Sequence, residues 1–214
     1  MSYPYWQSPN RLSQTSLWRG VIVVVLVLLG LPLFSFGSGR MPARGTFLVA
    51  SEDLSDPRFR EAVVLLVQHN AAGSVGLIVN KPVLEMPLLR LPDGSGADLE
   101  EIPFFYGGPV SPHLLGVLLR SAEPVADANE ILPGLYLMSV LQFIQESPAG
   151  ILPGEVRILS GYAGWAPGQL NHELGRGDWA VVPAKTSDVF VPPEQLWRRL
   201  SAKKGLLVLS DAPL

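Results

Sequence analysis

The sequence predicts an α+β fold in which strands outnumber helices and pair mostly as antiparallel hairpins, preceded by one transmembrane helix. Three observations carry that reading. β-Branched and aliphatic runs recur at short spacing with turn residues between them. The helical segments are short and do not alternate regularly with the strands, which argues against a βαβ architecture. Residues 21–36 (VIVVVLVLLGLPLFSF) hold no charge at all.

The 214 residues carry a net charge of −3, are 48% hydrophobic and include no cysteine. That length suits one medium domain with an appendage, and it rules out disulfides and cysteine-ligated metal sites. Residues 1–16 are polar, contain Pro4 and Pro9 and read as a disordered tail. As a helix, the charge-free run 21–36 spans about 24 Å, short of a hydrocarbon core of about 30 Å. Extending it back to Leu17 completes a span over 17–36, with Arg19 snorkelling and Trp18 at the interface. Two rivals are a signal peptide, with Gly37-Ser38-Gly39 as the cleavage site, and a buried helix. Residues 37–44 form a linker to a domain over 45–214. Arg11 and Arg19 precede the span while Arg40, Arg44, Arg58 and Arg60 follow it, which leans towards a cytoplasmic domain.

Within the domain, Gly45–Ser51 reads as a first strand. Asp56-Pro57 supplies an N-cap and a first-turn proline for a short helical turn through Arg60. Ala62–Gln68 and Ser74–Val79 are apolar runs suited to strands buried on both faces. The connection His69–Gly73 closes them into a hairpin. Gly73 and Gly76 lead into a strand and Lys81 is followed by Pro82, so the stretch is no phosphate-binding loop. Residues 91–101 form a surface loop. Phe104–Tyr106, Leu114–Leu119, Gly134–Met138, Val156–Leu159 and Trp179–Val182 are further strands. Val140–Glu146 and Gln169–Leu174 are short helices. Pro193–Lys204 is the last helix, with Leu196, Trp197 and Leu200 on one face, and Leu206–Leu209 closes the chain as a strand.

From Gly45 onward 12 lysines and arginines face 19 aspartates and glutamates, a balance of −7. Such a domain repels phosphate backbones, so nucleic acid is not expected as a partner. The basic group Arg198, Arg199, Lys203 and Lys204 reads as a solvated face complementing a helix dipole.

Four segments, DPRFR at 56–60, His69-Asn70 with Gly76 and Asn80-Lys81-Pro82, YGGP at 106–109, and GYAGWAPGQLNHEL at 161–174 continued by Asp178-Trp179, resemble the YqgE/AlgH family. The ten residues GYAGWAPGQL are the most specific part. The resemblance implies a bifurcated or barrel-like sheet flanked by short helices. It implies no established activity, although "transcriptional regulator" is a label some members carry. The apolar segment before the domain departs from the usual family layout.

The candidate binding residues are Tyr162, Trp165, Gln169 and Glu173, with His69, Asn70, Asn80 and Lys81 as a second group. Gln169 and Glu173 fall at i, i+4 on one helix face. A glycine-rich loop presenting Tyr162 and Trp165 beside that face makes a polar-aromatic pocket; the plain alternative is that Trp165 plugs the core. His69, His113 and His172 lack ligand spacing, and no metal or cofactor is expected. There is no GxSxG elbow, and Ser160 before Gly161 is the nearest analogue. Three functions compete for these residues. The first is a membrane-tethered, non-enzymatic binding, scaffold or regulatory domain with a protein partner. The second is a hydrolase using His69 with Asp53 or Glu61, and the third is a DNA-binding regulator.

Overall fold

The computed structural model describes residues 40–83, 102–146 and 155–210. The span expected at 17–36 and the loop expected at 91–101 lie outside these residues. Among the described residues no helix is long and apolar enough to cross a membrane.

The domain is α+β and mainly antiparallel. Its strands are β1 (Thr46–Ala50), β2 (Val63–Asn70), β3 (Gly73–Ile78), β4 (Phe104–Tyr106), β5 (Val110–Arg120), β6 (Asn129–Leu132), β7 (Leu135–Ser139), β8 (Val156–Trp165) and β9 (Trp179–Pro183). A 3-10 turn (Pro57–Phe59) and helices α1 (Val140–Glu146), α2 (Gln169–Arg176), α3 (Thr186–Val189) and α4 (Pro193–Ser210) complete it. The Asp56 carboxylate caps the 3-10 turn by accepting from the Arg58 amide at 3.0 Å, the role its Asp-Pro start predicts.

The sheet runs β6-β7-β5-β8-β3-β2-β1-β9, with β4 pairing β8 off this path. Strand β8 is where it forks. Its residues Ile158–Ser160 lie between antiparallel β5 and parallel β4, while Ala163–Trp165 pair with β3. The chain leaving β3 runs back along β4, where Tyr106 donates its amide to the Lys81 carbonyl and Val83 to that of Phe104. At the far end the Arg44 guanidinium donates to Asn129 and to the Glu130 carbonyl, so the sheet curls until β6 meets the residues before β1.

Alternation along β1 and β2 feeds two cores. Phe47, Val49, Val63, Leu65 and Val67 point to the inside of the curl, where Val189 of α3 and Leu196 and Leu200 of α4 pack. Leu48, Ala50, Val64 and Leu66 point the other way, under Leu170 of α2 and Phe59. Strands buried on both faces explain the unbroken apolar runs. A third cluster joins β5, β7 and β8 to Val140 and Phe143 of α1.

Two expected elements differ. Strand β8 does not stop at Leu159 but continues to Trp165, because Gly161 takes a left-handed φ of +70° without leaving the ladder. The terminal strand expected at Leu206–Leu209 is instead the end of α4. Gly205 reads as a helix stop, yet three of those four residues are leucines, which sustain a helix as readily as a strand. The short strand β6 and helix α3 have no counterpart in the sequence reading.

The YGGP and GYAGW segments meet at a crossing of two backbones. A Cβ on Gly107 would lie 2.3 Å from the Gly161 carbonyl oxygen, one on Gly108 2.2 Å from Tyr162, and one on Gly161 2.4 Å from the Gly108 oxygen. Gly164, three residues on, has ordinary contacts no nearer than 3.5 Å. Gly161→Ala is therefore expected to lose more than about 2 kcal/mol, from the clash and the positive φ together. Gly164→Ala should stay within about 0.5 kcal/mol of the parent. Urea unfolding of both variants reads the difference.

Candidate functional site

The lengthening of β8 decides where its aromatic residues go. Tyr162 and Trp165 are three residues apart on one strand, so they point to opposite faces. Tyr162 packs against the inner core, and Trp165 is buried in the outer one. The pocket expected to hold both therefore does not form with Tyr162.

Trp165 instead joins Trp179 of β9 and Phe59 of the 3-10 turn. The two indoles meet edge to face at 5.9 Å, and Phe59 meets Trp179 edge to face at 5.5 Å. Both indole N–H groups donate to Glu173 Oε2 at 2.8 Å. Gln169 Nε2 donates to Glu173 Oε1 at 2.9 Å, and its own Oε1 accepts from the Ala166 amide at 3.1 Å. The i, i+4 placement on α2 thus fixes a carboxylate with three neutral donors, one each from β8, β9 and α2.

Above this group lies a cleft of about 540 Å³. Its floor and walls are Phe59, Trp165, Trp179, Gln169 and Glu173, with Asp53, Leu54, Ser55 and Asp56 on one rim and Pro109 and Val110 on another. Two ion pairs sit in the rim. Arg58 binds Asp56 through Nη2–Oδ2 at 2.7 Å, and this hydrogen-bonded guanidinium holds the Asp56 carboxyl below its usual value. Arg176 pairs with Asp178.

The second group of candidate residues is dispersed, and three of its four members hold the backbone. Asn80 accepts from the Val63 amide at 2.7 Å and donates to the Glu61 carbonyl at 2.9 Å. Lys81 donates to the Arg58 carbonyl at 2.9 Å, and burial lowers its pKa. Asn70 accepts from the Ala72 amide inside the hairpin turn. His69 Nδ1 lies 2.8 Å from the hydroxyl of Ser74, its cross-strand partner. Both line a smaller hollow of about 250 Å³ with Asn70, Gly168, Leu170 and Asn171. Neither proposed carboxylate joins His69 there: Asp53 belongs to the larger cleft, and Glu61 offers its backbone carbonyl to Asn80. Ser160 donates its hydroxyl to the Pro112 carbonyl, while His113 and His172 are exposed.

Sequence reasoning missed Phe59 and Trp179 as partners of Trp165. The signal was available, since DPRFR, GYAGW and Asp178-Trp179 each supply one of the three aromatics. It missed Asp53 and Arg58 as cleft residues because nothing in their spacing ties them to Trp165 or Glu173.

Comparison with known proteins places the chain. The AlgH-like family model (DUF179) matches residues 47–208. A UPF0301 protein of Methylococcus capsulatus is 37% identical over 172 residues, covering 78% of this chain and 94% of its own. One from Rhodococcus erythropolis is 37% identical over 170 residues, covering 77% and 84%. The solution structure of the AlgH protein from Pseudomonas aeruginosa superposes with a TM-score of 0.61 at 30% identity, over 80% of this chain and 94% of that one. The chain belongs to the AlgH-like family.

The geometry separates the two roles for Trp165. Trp165→Ala opens a cavity in the outer core and should lose about 3–5 kcal/mol. Glu173→Ala leaves two indole donors unmatched and should lose about 1–3 kcal/mol for each that stays buried. Gln169→Ala, at an exposed helical position, should change stability by less than about 0.5 kcal/mol. Thermal or urea unfolding followed by tryptophan fluorescence measures all three.

Proposed function

We propose that this member of the AlgH-like family is a membrane-tethered, non-enzymatic binding protein that engages a protein partner through the cleft over Glu173. The observation that carries the reading is the construction of that cleft. A hollow of about 540 Å³ has an aromatic floor and a carboxylate oriented by three donors from three elements. Such a preorganised, mixed apolar and polar hollow fits a recognition site. The tether rests on the charge-free run within 17–36, and the arginines after it favour a cytoplasmic domain. The balance of −7 from Gly45 onward counts against the DNA-binding alternative.

Two measurements test this reading. The protein should fractionate with membranes and keep its first residues; a mature chain starting at Arg40 would show cleavage instead. Cross-linking in solubilised membranes should capture a reproducible partner that is lost in Ser55→Trp, which fills the cleft from an exposed rim position. Capture unaffected by Ser55→Trp would remove the cleft from the function.

A second reading, a hydrolase acting through His69, draws on one contact. A serine hydroxyl 2.8 Å from an imidazole nitrogen is nucleophile-to-base spacing, and Ser74 and His69 both line the smaller hollow. Among the described residues no carboxylate lines that hollow to orient the imidazole. A fluorophosphonate probe should label Ser74 in the parent and fail in His69→Ala if this chemistry operates. An unlabelled parent sinks it.

A further inference from the structure

We propose that the cleft recognises an organic cation, an alkylammonium or alkylguanidinium group, seated against Glu173 and Asp53 with its apolar stem on the aromatic floor. The inference rests on the cleft being a binding site and adds what it binds. It follows from which charges in the cleft are already cancelled. Asp56 is matched by Arg58 at 2.7 Å, and Asp178 by Arg176. Those same pairs match the charge of both arginines, so neither leaves a net positive charge in the cleft. Glu173 is different. Its partners are two indoles and an amide, all neutral, and it forms no ion pair among the described residues.

A carboxylate offers about four acceptor positions. Two donors share Oε2 and one reaches Oε1, so an acceptor position remains on Oε1. The three donors orient the group without neutralising it, so a ligand that brings positive charge gains the full attraction at little ordering cost. Asp53, exposed on the rim and without an ion pair among the described residues, supplies a second negative group. Phe59 supplies the third element. The Arg58 guanidinium lies 6.0 Å from its ring centre, at the outer range of a cation–aromatic contact. Methylenes of a lysine or arginine stem lie well along such a surface. The balance of −7 from Gly45 onward raises the local concentration of cations around the domain.

The test uses the full chain in nonionic detergent, labelled with nitrogen-15, and follows the indole N–H resonances of Trp165 and Trp179. Both indoles donate to Glu173, so they report directly on its occupancy. Butylammonium should shift both resonances saturably, whereas butan-1-ol, of similar shape without charge, should not. Glu173→Gln and Asp53→Asn should each weaken apparent affinity by about fivefold or more. Asp53→Asn decides the matter if Glu173→Gln disturbs the fold, because Asp53 is exposed and holds no core contact. A blocked Ala-Lys-Ala peptide distinguishes the source. Tighter binding than butylammonium identifies a basic side chain of a protein partner, and equal or weaker binding identifies a free amine; both sustain the proposal. Equal shifts with butan-1-ol, or affinities unchanged in both variants, would overturn it. Such a result beside a partner lost in Ser55→Trp would retire the cation while leaving the cleft reading intact.

Discussion

A single buried cation ties the domain together. Arg157 on β8 is almost wholly enclosed and has no carboxylate partner among the described residues. Its guanidinium donates to the Val79 carbonyl at the end of β3 and to the Val191 carbonyl ahead of α4 at 2.8 Å. It also lies 4.3 Å from the ring centre of Phe105 and 5.7 Å from that of Phe190. Burial pushes its pKa down to about 10, which still leaves it charged at neutral pH. An unpaired buried charge is costly unless several dipoles and rings meet it. The positions of β3, β4, β8 and the start of α4 must therefore be mutually consistent around one planar fork. No lysine reproduces that geometry.

The same strand that holds Arg157 in the inner layer delivers Trp165 to the outer one. Between them the glycine crossing lets β4 and β8 approach more closely than any side chain allows. The cleft over Glu173 is thus a by-product of how β8 is routed. Its early residues are clamped by the fork, its middle passes through the crossing, and its last residue sets the indole against Glu173. Glu173 then joins α2 to β8 and β9 through hydrogen bonds rather than through packing alone. Side chains held by such hydrogen bonds keep a fixed geometry of their own.

Much of this was legible in the sequence. The apolar runs of β2 and β3 declared strands buried on both faces, and Asp56-Pro57 declared a capped turn. The pairing of Gln169 with Glu173 followed from helical spacing alone. The error over Tyr162 came from reading Gly161–Gly168 as loop, because glycine is enriched in turns. The burial of Gly161, Ala163 and Trp165, alternating with more exposed Ser160, Tyr162 and Gly164, follows a period of two. Glycine there permits close approach rather than flexibility, and only the neighbouring backbone distinguishes those causes. Arg157 gave no signal. A lone arginine in RILSGY looks like an exposed strand residue until the carbonyls that enclose it are known.

The pairing order of the sheet bears on how the chain is made. Strands β1, β2 and β3 are contiguous in sequence and form as local hairpins, but β3 waits for β8 and β1 for β9 before their free edges are covered. Ribosomal synthesis therefore leaves two apolar strand edges open while roughly a hundred further residues emerge, a long interval at about 5–20 residues per second. Non-local pairing of this kind slows folding and exposes edges to wrong partners. One of those edges closes only when β9 docks on β1, so the last strand to be made completes the protection of the first.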